Sequence, residues 1–332
     1  MSVYKHILEE IKTASHIVIT SHKSPDGDSI GSSLGLFQFI KKLGKTAYIC
    51  HPDPAPTFLE WLEDFGSILT MQLNSDKVKG HFEEADLIFC LDYNGPDRVG
   101  DEMQSLLENA KCKRIMIDHH LDPVDFVDIA VSDPTSSSTA QLVYELIEQS
   151  GCLKLLDEQV GMPLYLGILT DTGSFRFSSV KPRTHEVLGK LIQHGVRHHL
   201  VHEHLNDNNT ASRLRLQGYA ISEKLEILDE HQVAIISMTA EELKRFNYAK
   251  GDTDNLANIA LSIKGIKAAV FVAEKDGKVK LSFRSKGEEN PVNVLAAEHF
   301  DGGGHANASG GVSFLSIDET VQKLKSLVPS YF

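Results

Sequence analysis

Cysteine is scarce in this chain and wrongly spaced for a cross-linked scaffold. The four present, Cys50, Cys90, Cys112 and Cys152, are far apart and form no CxxC pair. That excludes a disulfide framework or a zinc knuckle and predicts free, buried thiols in a reducing compartment. Long apolar runs are missing too. None reaches the roughly 18 residues of a membrane span, and residues 1–10 lack a basic stretch followed by an apolar core. The expectation is a cytoplasmic protein with no membrane partner and no secretory signal. Positive charge is also in short supply, with 33 Lys and Arg against 46 Asp and Glu, a net charge of −13. Coating long DNA or RNA depends on many cationic contacts to phosphate, so no long duplex partner is expected. A short anionic substrate needs only a local positive site, and metal ions can supply much of it.

What is present has a regular layout. The 332 residues suit two domains. Short apolar runs at His16–His22, Lys45–Cys50, Ala85–Leu91 and Lys113–Ile117 alternate with helical stretches at Ile30–Leu43 and Asp101–Ala110, and Ser137–Gln149 and Asp157–Thr170 read as further helices. This predicts an α/β domain over residues 1–190, a parallel sheet with helices on both faces. Gly195–Asn209 is polar and histidine-rich and predicts a linker, set at 191–210. Its histidines, His194, His198, His199, His202 and His204, read best as a solvated face. A smaller α+β domain follows over 211–332: a long helix near Thr210–Leu228, a strand at Gln232–Ser237, a helix at Leu256–Ile263, two strands flanking the turn Asp276-Gly277, a helix at Val292–His299, a glycine-rich loop over Gly302–Gly311 and a helix at Ile317–Leu327.

The chemistry gathers at the predicted strand ends. One strand runs into Ile117-Asp118-His119-His120, the first ends in Ser21–Ser29 with His22, Asp26 and Asp28, a third ends at Asp92, and a helix closes on Asp171. In an open parallel sheet, ligands bind at the carboxyl ends of the strands. Each residue alone has an ordinary structural reading: a satisfied strand-end histidine at His22, a turn acid at Asp92, a cap at Asp118. Together, five aspartates at one sheet mouth would raise one another's pKa unless compensated, and divalent cations are the natural compensation. Mixed imidazole and carboxylate donors suit Mn²⁺ or Fe²⁺ better than calcium. Two such ions about 3.5–4 Å apart, bridged by one carboxylate, would hydrolyse a phosphoester.

The set HxxxDxDS, LDYN, DHH and TDTGSF, in this order, resembles the signature motifs of the DHH phosphoesterase family. The resemblance implies a dimanganese centre with His22, Asp26 and Asp92 on one ion and Asp28, Asp92, His119 and Asp171 on the other. It makes Asp92 the bridge, Asp118 the residue that orients a histidine, and His120 a substrate-facing group that helps protonate the leaving oxygen.

In the second domain, Gly302-Gly303-Gly304-His305 lets backbone amides approach an anion beside one imidazole, and Arg284 offers a two-pronged phosphate contact that lysine cannot copy. SFRS with GGGH resembles the DHH-associated C-terminal domain, which implies that Arg284, Gly303, Gly304 and His305 bind substrate across a cleft. Phe175 or Phe177 as a stacking ring, and Arg176 or Arg183 as a further cation, are minor expectations. Without membrane helices or an appended nucleic-acid module, the chain is most similar to the branch of the family that degrades very short oligoribonucleotides and 3′-phosphoadenosine 5′-phosphate. The resemblance is compatible with a homodimer. The alternatives are an exopolyphosphatase-like or dinucleotide phosphodiesterase activity, or a non-catalytic nucleotide-binding regulator.

Overall fold

The apolar runs that end in aspartate and histidine become neighbouring strands. The computed structural model describes residues 2–332 and divides into two units, Met1–Asn208 and Asn209–Phe332. Strands β1 (Ile17–Thr20), β2 (Ala47–His51), β3 (Leu69–Thr70), β4 (Leu87–Leu91), β5 (Lys113–Asp118) and β6 (Ile129–Ser132) form one sheet in the order β3-β2-β1-β4-β5-β6. All five pairings are parallel. The first unit is therefore the expected α/β layer structure. Its strand order reverses between β1 and β4, and at such a switch point the loops leave in opposite directions and open a crevice.

Helices α1 (Val3–Thr13), α2 (Gly27–Lys42), α3 (Met71–Glu84), α4 (Asp101–Asn109), α5 (Thr139–Gln149), α6 (Glu158–Asp171), α7 (Pro182–Gln193) and α8 (His198–Asn206) complete the unit. Strand side chains alternate between faces. Ile17, Ile19, Phe89, Ile115 and Ile117 join a core with α2, α5 and α6. Val18, Ile88, Cys90 and Met116 join another with α3 and α4. Each fully buried aliphatic or aromatic side chain contributes about 1.5–3 kcal/mol, so a one-residue register slip would be strongly opposed. All four cysteines are free, and Cys50 and Cys90 are buried.

The stretch expected as a linker is largely helical. Val201 of α8 has no exposed surface and packs into the first core. Its period is masked in the sequence by histidines that serve as packing rings: His204 stacks on Trp61 at 4.3 Å between centroids, and His202 reaches the Tyr165 hydroxyl at 3.4 Å.

In the second unit, α9 (Ala211–Glu223) is followed by β7 (Leu225–Leu228), β8 (Val233–Met238), α10 (Ala240–Arg245), α11 (Leu256–Leu261), β9 (Ala268–Lys275), β10 (Lys278–Ser285), α12 (Val292–His299), β11 (Gly303–His305), β12 (Ala308–Ser313) and α13 (Ile317–Tyr331). The sheet order is β11-β12-β10-β9-β8-β7, with β8 and β9 parallel and its other neighbours antiparallel. The single helix expected over Thr210–Leu228 stops at Glu223, and Leu225–Leu228 pairs with β8 as an edge strand. The turn Asp276-Gly277 has positive φ at both residues, 55° and 75°, as a tight two-residue hairpin requires. The glycine-rich stretch is a hairpin rather than a loop. A Cβ on Gly302 would stand 2.1 Å from the Gly310 carbonyl oxygen, so glycine there permits two backbones to close on each other.

Candidate active site

β1 delivers His22 to the mouth of the sheet. Its Nδ1 lies 2.8 Å from the Lys23 carbonyl oxygen, so Nδ1 carries a proton and Nε2 turns inward. Nε2 is 3.4 Å from Asp92 and 3.9 Å from Asp26. Asp26 caps α2, accepting from the amides of Asp28 and Ser29 at 3.0 Å each. Asp26 therefore both caps the helix and stands in a group of donors that could hold a metal ion. Gly27 serves close packing rather than an unusual turn: a Cβ there would meet the Thr170 hydroxyl at 2.4 Å.

Asp28 is 1% exposed, and the group that holds it lies far along the chain. The backbone amides of Thr139 and Ala140, at the start of α5, donate to its two oxygens at 2.7 and 2.9 Å. Thr139 also donates its hydroxyl to Asp92 at 3.0 Å. Sequence reasoning did not single out this residue. The signal for it is the small polar run Ser136–Thr139 before a helix, all of it buried.

β4 ends at Asp92, a non-glycine residue held at φ 65° while its amide still donates to Ile117 at 3.1 Å. The adjacent β5 ends at Asp118, which is fully buried and bonds His120 Nδ1 at 2.7 Å. That leaves Nε2 of His120 unengaged by Asp118. His119 Nε2 faces three carboxylates, Asp92 and Asp171 at 3.6 Å each and Asp28 at 3.9 Å. Three triads result, His22 with Asp26 and Asp92, Asp28 with His119 and Asp171, and Asp92 with His119 and His120. Within each triad the ligand atoms lie no more than 4.8 Å apart.

The electrostatics carry the mark of crowded acids. Burial, then the charges of Asp92, Asp171 and Asp26, push Asp28 well above the usual carboxylate range. Burial also lifts Asp171 to about 6 against the pull of His119. Burial opposes ionisation of Asp92 as well, but the hydrogen bond and charge of His22, with the two following histidines, bring it below its ordinary value. Burial lowers His22, but the hydrogen bond and charge of Asp92, with the Lys23 carbonyl and the charge of Asp26, together raise it to about 9. In the protein alone, imidazolium and shared protons supply the positive charge. Inward-facing imidazole nitrogens and acids too close to ionise together are what a divalent cation would relieve, so the donor set fits one.

Arg284 and His305 belong to the second unit and come to one face of its sheet. Register sets His305 opposite Ala308 and Ala308 opposite Arg284, so the guanidinium and the imidazole flank a strand whose side chain is a methyl. Gly303 and Gly310 form the next row, facing Ser282. Burial lowers the pKa of Arg284, with the charge of Asp254 opposing. Arg183 is consumed elsewhere, by ion pairs to Glu145, Glu148 and Glu186. Arg176 donates to the Gly173 carbonyl. Phe175 packs on the first core, and Phe177 is 55% exposed.

Known proteins resemble the chain over most of its length. Residues 16–168 match the N-terminal domain of the DHH family, and residues 231–330 match the DHHA1 domain. The bifunctional oligoribonuclease and PAP phosphatase NrnA of Thermus thermophilus is 32% identical, over 94% of this chain and 89% of its own. The cyclic-di-AMP phosphodiesterase GdpP of Bacillus subtilis is 27% identical, over 99% of this chain but 50% of its own. The crystal structure of an exopolyphosphatase-related protein from Bacteroides fragilis is 37% identical and superposes with a TM-score of 0.93, over 99% of this chain and 96% of its own. With both domain matches in order and relatives that run nearly end to end, the chain belongs to the DHH family.

Proposed function

We propose that the chain hydrolyses very short oligoribonucleotides and nucleoside 3′,5′-bisphosphates with two divalent cations, Mn²⁺ by preference. One observation carries the reading. Asp92 presents its two oxygens to two different imidazoles, Oδ2 to His22 at 3.4 Å and Oδ1 to His119 at 3.6 Å, the disposition of a carboxylate that bridges two ions. His22 and Asp26 would complete one site, and Asp28, His119 and Asp171 the other. The cations, when bound, supply an activated water and the charge that stabilises displacement at phosphorus.

The chain's own groups do the rest. His120, raised above its ordinary pKa first by its bond to Asp118, is the group placed to give a proton to the leaving oxygen. Arg284 and His305 grip the phosphate oxygens, with the bare backbone of Gly303 and Gly304 beside them. Two substrates are supported by the naming of the Thermus relative for oligoribonuclease and PAP phosphatase activity. The Bacteroides structure, described as exopolyphosphatase-related, favours polyphosphate as a second reading. Free thiols support a reducing, cytoplasmic location. A hydrolysis panel with Mn²⁺ tests the proposal on dinucleotide, nucleoside 3′,5′-bisphosphate, cyclic dinucleotide and polyphosphate. The first two should be cleaved fastest; turnover of polyphosphate alone would replace this reading with the second, and turnover of none would leave a nucleotide-binding regulator.

A further inference from the structure

The second unit contains a cavity of about 190 Å³ against the α11 side of its sheet, lined by three cationic side chains, Lys275, Lys280 and Arg284, and one carboxylate, Asp254. Whole-ligand pockets run to about 300–1,000 Å³, so this space suits one polar end of a ligand. Lys280 is paired with Asp276 at 2.7 Å. Among the described residues, Lys275 has no carboxylate at ion-pair distance. Its ammonium donates to the Thr253 hydroxyl at 2.8 Å and lies 4.6 Å from the Tyr248 ring centroid and 5.7 Å from that of Phe271. A hydroxyl and two rings solvate an ammonium without neutralising it.

Register decides where that charge goes. Lys275 begins at the hairpin end of β9, yet Phe271, over which its ammonium sits, pairs with Ser282, in the row next to Arg284 and Ala269. The lysine stem thus runs back along the sheet toward the guanidinium. Alternation on β10 puts Lys280, Ser282 and Arg284 on this same face. At the Arg284 end the flanking residues are small, Ala269 on β9 and Ala308 and Gly310 on β12, so neighbouring side chains leave the face open beside the guanidinium.

We infer that the cavity is a second phosphate subsite, in which Lys275 binds the phosphate that is not being cleaved while Arg284 holds the reacting one. The inference rests on the phosphohydrolase reading above and sharpens its substrate class to nucleotides that carry two phosphates on one nucleoside. A 5′-phosphorylated dinucleotide and a nucleoside 3′,5′-bisphosphate both qualify.

The test compares Mn²⁺-loaded full-length protein with Lys275→Met and Lys275→Arg on adenosine 3′,5′-bisphosphate and on the two adenosine monophosphates that lack one phosphate. Lys275→Met should lower the preference for bisphosphate over the better monophosphate about tenfold, mainly through KM, as loss of one charge-assisted contact implies. Lys275→Arg, which keeps the charge, should restore most of it. Equal losses on all three compounds would make Lys275 a packing residue and overturn the subsite, as would an unchanged preference. If the wild type binds the bisphosphate in calorimetry without hydrolysing it, the phosphohydrolase reading fails, and the subsite is then judged on whether Lys275→Met selectively weakens bisphosphate binding. Wild-type protein that neither binds nor cleaves the bisphosphate sinks both.

Discussion

Asp118 has no exposed surface and spends its charge on one neighbour, His120, at 2.7 Å. That bond is the first cause of the raised His120 pKa, ahead of the opposing effect of burial. A general acid must be protonated to act, so the rate should fall as pH rises through the His120 pKa. Asp118→Asn removes the charge and keeps the shape, and the alkaline limb of the kcat profile should move to lower pH. An unmoved limb would exclude His120 as the proton donor. Both histidines of the Asp-His-His triplet were legible as chemistry, and the family resemblance implied different tasks for them; which histidine Asp118 orients became visible only in the fold. His119 turns Nε2 to Asp28, Asp92 and Asp171, whereas His120 has its Nδ1 held by Asp118, 3.9 Å from Asp92.

At the scale of elements, α2, α5 and α6 frame the acidic cluster, and two contacts between them can be tested. A Cβ on Gly31 of α2 would stand 2.4 Å from the Pro163 carbonyl oxygen of α6. Gly31→Ala should therefore destabilise the protein by about 1–3 kcal/mol, read as a lower denaturant midpoint; an unchanged midpoint would mean that the helices part at no cost. Thr139 of α5 touches both Asp28 and Asp92. Thr139→Val keeps the amide bond to Asp28 and loses the hydroxyl bond to Asp92, so Mn²⁺ affinity measured by calorimetry should fall about 10–100-fold, with Thr139→Ser close to wild type. Affinity equal to wild type in the valine variant would show that the hydroxyl does not position Asp92.

At the scale of the whole molecule, the acidic cluster couples stability to pH and metal. His22, raised to about 9, contributes stability that is full below its ordinary 6.5 and lost as pH climbs through 9. Asp171, raised to about 6, and Asp28, raised well above its ordinary value, likewise bind protons more tightly when folded, so their contribution is lost as pH rises above the ordinary carboxylate value. Asp92, lowered, works in the opposite sense. The metal-free protein should therefore lose stability between pH 5 and 8. A cation needs these groups deprotonated, so its stabilising effect should grow over the same interval. Saturating Mn²⁺ should raise the thermal midpoint by roughly 5–10 °C at pH 8 and by little at pH 5. Equal gains at both values would refute the coupling.

Much of this was open to reading from the chain alone. Residue type and position at strand or helix ends marked His22, Asp26, Asp28, Asp92, His119 and Asp171 as candidates, because parallel strands share one carboxyl edge, and Arg284 was marked by its guanidinium in the SFRS stretch. β6 escaped notice because it is short and only Val131 of its four residues is buried. The sequence determined which donors arrive at the sheet mouth. The tertiary structure decided what they meet there: strand order placed β1 beside β4, and helix packing brought the amides of Thr139 and Ala140 to Asp28, 111 and 112 residues away. Local pattern encodes period and chemistry, whereas the approach of segments that far apart is settled only when the cores between them close.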